Sequence, residues 1–299
     1  MKKILLATTA LVLSGGMAAA QGLSIGGMGR MGVNYTSGAA TQWNMERRLD
    51  LNFSVTVQAD HGLTFGAFTR VRTNDEQAGT FNSFNAYVEN SGLRLTFGNQ
   101  AGAIEGFGVT GAAPIGYTGG TFAQFGGLYS ADTGLNLYAH GPASTTAPIS
   151  PSTTAPISSG NPQMIGLRYS AGDFTVAATH TRNGHTELAG SARFDAVTVA
   201  AGYANNAERY RTASVAYNAG DFTVGGIVTR FSGDNLYTLN GSVQFGGGTG
   251  GAYVGQHAGA NVGGISYRYN LGGGAMIGAA LERTAGGANR AELGVMFNF

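Results

Sequence analysis

Five arginines, Arg30, Arg48, Arg70, Arg72 and Arg94, stand at positions from which their guanidiniums would share one wall. Each falls on the polar phase of a run in which polar and apolar residues alternate, so side chains two apart lie on one face. A guanidinium keeps its charge when partly desolvated and holds fixed hydrogen bonds. Gathered on the first, second, third and fifth strands of a polar-lined wall, these groups would set up a standing positive field that filters ions by sign. Acidic groups opposite would make that field transverse, and Glu105, with Asp132 second, are the candidates. The alternative is ordinary ion pairing of the arginines with Glu46, Asp50 or Glu89. Arg47 has the apolar phase and belongs at an interface or loop end.

Other chemistry finds little support. Gly27-Met28-Gly29-Arg30-Met31-Gly32 matches a dinucleotide-binding spacing, but it sits within a strand-like run, with no strand before it and no helix after it. The lysines are Lys2 and Lys3 alone, which leaves no P-loop cation further along. His61, His140, His180, His185 and His257 show no metal-ligand spacing, so neither a metal nor another cofactor is implied. A barrel hydrolase is the rival reading: His180 or His185 beside Ser191 would need a nucleophile, a base and an orienter within bonding reach. A structural or adhesive barrel is a third.

The elements that must hold the arginines are strands. From Glu46 to Ala59 the residues Leu49, Leu51, Phe53, Val55, Val57 and Ala59 alternate with Glu46, Arg48, Asp50, Asn52, Ser54, Thr56 and Gln58. A run this long exceeds the usual soluble strand and suits a tilted crossing of a bilayer. The last residues repeat the pattern. Ala291, Leu293, Val295, Phe297 and Phe299 share an apolar face, which suits an outer wall meeting lipid with Phe299 in an aromatic girdle. By its resemblance to the ends of outer-membrane proteins generally, Phe299 is also expected to be part of the C-terminal signal read by the assembly machinery. No apolar run reaches the length of a spanning helix, and alternation explains a mean hydropathy of −0.01.

At the other end, basic Met1-Lys2-Lys3, the apolar Ile4 to Leu13 and small Ala18-Ala19-Ala20 read as a secretory signal peptide over 1–20, cleaved after Ala20. Residues 21–299 then form one domain. Without the two lysines, 15 arginines face 16 acidic residues, a net charge of about −1 that excludes a polybasic nucleic-acid surface. There is no cysteine, so the fold closes by hydrogen bonds alone.

Tight turns at Asp60-His61-Gly62, Asn90-Ser91-Gly92, Ala171-Gly172-Asp173, Ala219-Gly220-Asp221 and Leu271-Gly272-Gly273-Gly274 alternate with mostly longer linkers. Tyr169-Ser-Ala-Gly-Asp-Phe-Thr-Val176 recurs as Tyr217-Asn-Ala-Gly-Asp-Phe-Thr-Val224, one hairpin unit used twice. Residues 101–161 break the rhythm, with a tandem of Ser144 to Ser150 repeated over Ser152 to Ser158. The first part reads as a loop folded into the barrel and the Pro/Ser/Thr tandem as a surface excursion; Phe122 to Tyr138 as a wall hairpin would add two strands. With the loop reading, the chain is an all-β transmembrane antiparallel barrel of about 16 strands around a water-filled lumen.

Arg30-Met31-Gly32-Val33-Asn34-Tyr35, Phe97-Gly98-Asn99-Gln100, Tyr169-Ser170-Ala171-Gly172, Tyr269-Asn270-Leu271-Gly272-Gly273-Gly274-Ala275 and Glu292-Leu293-Gly294-Val295 occur in that order. In them the chain resembles the trimeric 16-stranded outer-membrane porins of photosynthetic and related alphaproteobacteria. The resemblance implies a homotrimer of passive-diffusion channels for small hydrophilic solutes and ions, set in outer-membrane lipid, with the loop after the fifth strand as the constriction. It also implies that Arg30, Arg48, Arg70 and Arg94 face Glu105 across it. This chain's long loop departs from the family in being acid-poor and in carrying the tandem.

Overall fold

Side-chain alternation becomes a closed wall. The computed structural model describes residues 22–74, 79–81, 84–98, 100, 102–106, 164–181, 186–205, 209–231, 233–257, 259–284 and 286–299. The expected signal peptide, Asp132, His185, residues 122–138 and the tandem lie outside the described residues.

The strands run in chain order. They are β1 (Gly22–Thr36), β2 (Trp43–Gln58), β3 (Thr64–Asn74), β4 (Thr80–Phe81), β5 (Asn85–Asn90) and β6 (Leu93–Gly98), then a one-turn helix α1 (Ala103–Gly106). After it come β7 (Met164–Ala171), β8 (Phe174–Thr181), β9 (Thr186–Phe194), β10 (Val197–Asn205), β11 (Arg209–Asn218), β12 (Phe222–Phe231), β13 (Asp234–Phe245), β14 (Gly248–His257), β15 (Ala260–Gly272), β16 (Ala275–Arg283) and β17 (Asn289–Asn298). Neighbours pair antiparallel, and β17 returns to pair with β1, so the sheet has no free edge. Because β4 and β5 both pair with β3, they make one stave, and the barrel has 16 staves. The two copies of the repeated hairpin are β7–β8 and β11–β12.

Exposure is inverted relative to a soluble protein. On β2, Met45 is 84% exposed while Asp50 is 3% exposed, and the same alternation recurs around the wall. Apolar side chains presented outward over a whole surface, with charges turned inward, are what a lipid-facing barrel requires. The long-loop end mixes two-residue joins at β12–β13 and β14–β15 with longer connections and the stretch between β6 and β7, whereas only short connections occur at the other end. Gly246-Gly247 and Gly273-Gly274, all at positive φ, join β13 to β14 and β15 to β16 with the two-residue geometry that follows strand twist.

Closure takes place at the same end. The Gly27 amide donates to the Phe299 carbonyl at 2.8 Å, and the Phe299 amide donates back to Gly27 at 3.1 Å. A side-chain carbon at Gly29 would collide with the Phe297 ring, and one at Gly27 with the Phe299 ring and the Asp50 carbonyl oxygen. Two glycines of the rejected dinucleotide spacing, Gly27 and Gly29, are therefore seats for the rings of Phe299 and Phe297, which lie 6.2 Å apart.

Candidate functional site

The inward face of β1–β3 carries the charge cluster. Register sets Arg30 opposite Arg48, Asp50 opposite Arg72, and Asn52 opposite Arg70. Asp50 is the hub. Arg48 grips it with two hydrogen bonds, Nε to Oδ1 at 3.0 Å and Nη2 to Oδ2 at 2.6 Å. Arg72 grips it from the other side with Nε at 2.7 Å and Nη2 at 2.9 Å. The Arg70 Nη1 lies 3.8 Å from the same carboxylate, and its Nε donates to Asn52 Oδ1 at 2.9 Å. Arg30 is ion-paired with Glu46, which also accepts from Asn34 Nδ2 at 3.3 Å.

Two guanidinium forks on one carboxylate fix both the planes and the positions of the arginines, since bidentate pairing is directional. The four arginines of β1–β3 are thus clustered and, at the same time, ion-paired to Glu46 and Asp50. Four guanidiniums around two carboxylates leave a surplus of two positive charges on this sector.

Arg94 stands apart. It is on the inward face of β6, donates to Glu89 at 2.7 Å and lies 4.0 Å over the Tyr87 ring. Glu89 pairs in register with Thr64, six residues along β3 from Arg70, which is about 20 Å at ~3.4 Å per residue. Its neighbour is Arg168, directly opposite on β7, a residue sequence reading passed over. Sequence parity finds the shared face; it does not find this second, lower basic pair.

The chain after β6 turns into the barrel. Gln100 Nε2 donates to the Thr96 carbonyl at 3.2 Å, then α1 docks on the inner faces of β8–β10. The Ala103 amide donates to Thr179 Oγ1 at 3.0 Å and the Ile104 amide to the Glu187 carboxylate at 3.2 Å, while the Ile104 side chain is buried over Gly202. A side-chain carbon at Gly102 would collide with the Glu187 carboxylate. The start of the expected inward loop thus crosses toward staves roughly opposite the Asp50 cluster. Glu105 belongs to α1, and its side chain lies outside the described residues.

The hydrolase arrangement does not assemble among the described residues. His180 points to the outer face and bonds Thr186 at 2.9 Å, whereas Ser191 has the inward phase of β9.

A closed barrel with an apolar exterior, a charged interior and chain folded into the lumen defines a channel-forming protein of the outer membrane. A family model described as Gram-negative porin matches residues 7–289, and the chain belongs to that family. It is an outer-membrane channel for passive diffusion. Among solved structures, a multiply substituted mutant of Rhodopseudomonas blastica porin matches at 22% identity, with a TM-score of 0.76, covering 93% of this chain and 100% of that one. A triple mutant of the same porin matches at 21% identity and a TM-score of 0.75, with 93% and 100% covered. At such identities the likeness concerns the fold. No curated protein sequence matches.

Proposed function

We propose that the Asp50-centred cluster is the basic side of the pore constriction, that Arg94 extends it toward the short-turn end, and that loop residues Glu105 and Asp132 supply the acidic side. The observation that carries this reading is the surplus of two positive charges held rigidly on the inward face of β1–β3. The Arg70 Nη1 is buried 3.8 Å from the Asp50 carboxylate and makes no hydrogen bond among the described residues, so it acts on passing ions through its field and not by direct contact. Small hydrophilic solutes and ions pass down their gradients, with a mild preference for anions.

Three such barrels associate through outward walls that include β1 and β17, whose faces combine small and apolar residues. Residues 1–20 are removed during export, and Phe299 contributes to recognition by the assembly machinery. Planar-bilayer recording in a salt gradient tests the pore reading. The double variant Arg70→Gln/Arg72→Gln should move the reversal potential toward cations, and an unchanged potential removes the cluster from the filter.

A further inference from the structure

Arginines also occur where lipid should be. Among the described side chains, Arg47, Arg211, Arg230 and Arg283 have the outward phase of their strands and are exposed. All four lie toward the long-loop ends of β2, β11, β12 and β16, while outward positions at the short-turn end are aromatic or aliphatic, as at Phe174, Phe194, Tyr217, Phe222 and Phe245. The outer surface is therefore polarised, with cations at one membrane boundary.

Two of the four form a unit. Arg211 on β11 and Arg230 on β12 are direct cross-strand partners, and the same register row continues to Tyr203 on β10 and Asn235 on β13. Directly opposed like charges destabilise a sheet unless something neutralises them. Among the described residues, neither guanidinium has a hydrogen bond or an ion pair to do so. Tyr203 in that row and the exposed Tyr237, two residues along β13 from Asn235, are residues of the kind found where acyl chains give way to headgroups. Two forks of donors about 5 Å apart, at headgroup level and facing lipid, match the oxygens of a phosphate.

We propose that Arg211 and Arg230 bind the phosphate of an anionic lipid headgroup in the outer leaflet. This site lies outside the pore and is independent of the filter assigned to Asp50 and its arginines. The lipid neutralises the opposed charges, and Asn235 and Tyr203 flank the bound phosphate. Acyl chains then run down the apolar outer face over Ala213, Val215 and Val228.

The test uses the purified, folded channel in mixed micelles titrated with bis-phosphorylated lipid A, with bound lipid counted by native mass spectrometry. Wild type should bind, and Arg211→Gln/Arg230→Gln should bind about tenfold or more weakly, the usual scale for losing a charge-assisted fork. Dephosphorylated lipid A should bind wild type and variant equally, and inorganic phosphate should fail to displace the lipid. Single-channel conductance should not change, which confirms that the variant has folded; the single variants Arg211→Gln and Arg230→Gln repeat the comparison with one charge retained. Equal lipid binding by wild type and variants overturns the proposal, as does displacement by inorganic phosphate at matching concentration, which would make this a general anion site.

Discussion

Replacing Asp50 with Asn keeps the side-chain shape and removes one charge from the centre of the cluster. Four guanidiniums would then face Glu46 alone, and the surplus would rise from two positive charges to three. For an ion passing roughly 7 Å away through water, one unit charge is worth about 0.6 kcal/mol. The added field favours an anion and disfavours a cation by that amount, a relative change of about 1.2 kcal/mol, or roughly sevenfold in permeability ratio; counter-ions at 0.1 M, with a screening length of ~10 Å, reduce it to about threefold. Stability should move the other way. Asp50 is buried and ion-paired with Arg48, Arg70 and Arg72, and removing the shared partner of buried cations costs about 3–5 kcal/mol. Reversal potentials in a salt gradient give the first quantity, and urea unfolding of the barrel gives the second. A shift toward cations, or no shift with the barrel intact, would refute the idea that permeating ions feel this carboxylate.

Gly102→Ala should lift the start of α1 off the wall, because the new methyl meets the Glu187 carboxylate. The loss of one charge-assisted and one neutral hydrogen bond amounts to about 2–4 kcal/mol of loop anchoring, read as greater open-channel noise and faster proteolysis within 101–161. Deleting Phe299 removes both backbone bonds to Gly27, about 1 kcal/mol each, and should lower the yield of inserted barrel while leaving the conductance of assembled channels unchanged.

Why some of this was legible in the sequence and some was not is a matter of geometry. Strand faces were readable because lipid and water impose opposite demands on alternate residues, as at Met45 and Asp50. Height along the barrel was not. Parity assigns Arg70 and Arg94 to the same face, but their separation depends on the stagger between strands, which accumulates across hairpins. Glu187 carried a readable signal, an acid on the polar phase of β9, without an indication of its task. Its partner Ile104 is 83 positions away, and Thr179 is 76 from Ala103. Contacts of that kind are decided by where a loop lands. Arg168 was overlooked although its alternation with Leu167 and Tyr169 marked it as inward.

The seam between Gly27 and Phe299 joins the strands farthest apart in the chain, so its loop-closure cost is highest until the staves between them have formed. Until it closes, β1 and β17 each present an unpaired edge, a row of amides and carbonyls able to template pairing with any other chain nearby. Because such distant pairing is slow, the unfinished barrel is vulnerable for longer than a hairpin would be. The two glycines that admit the Phe297 and Phe299 rings therefore act as a latch on the barrel's closure: they let the correct edge fit closely, and bulkier residues there would leave the edges open to wrong partners.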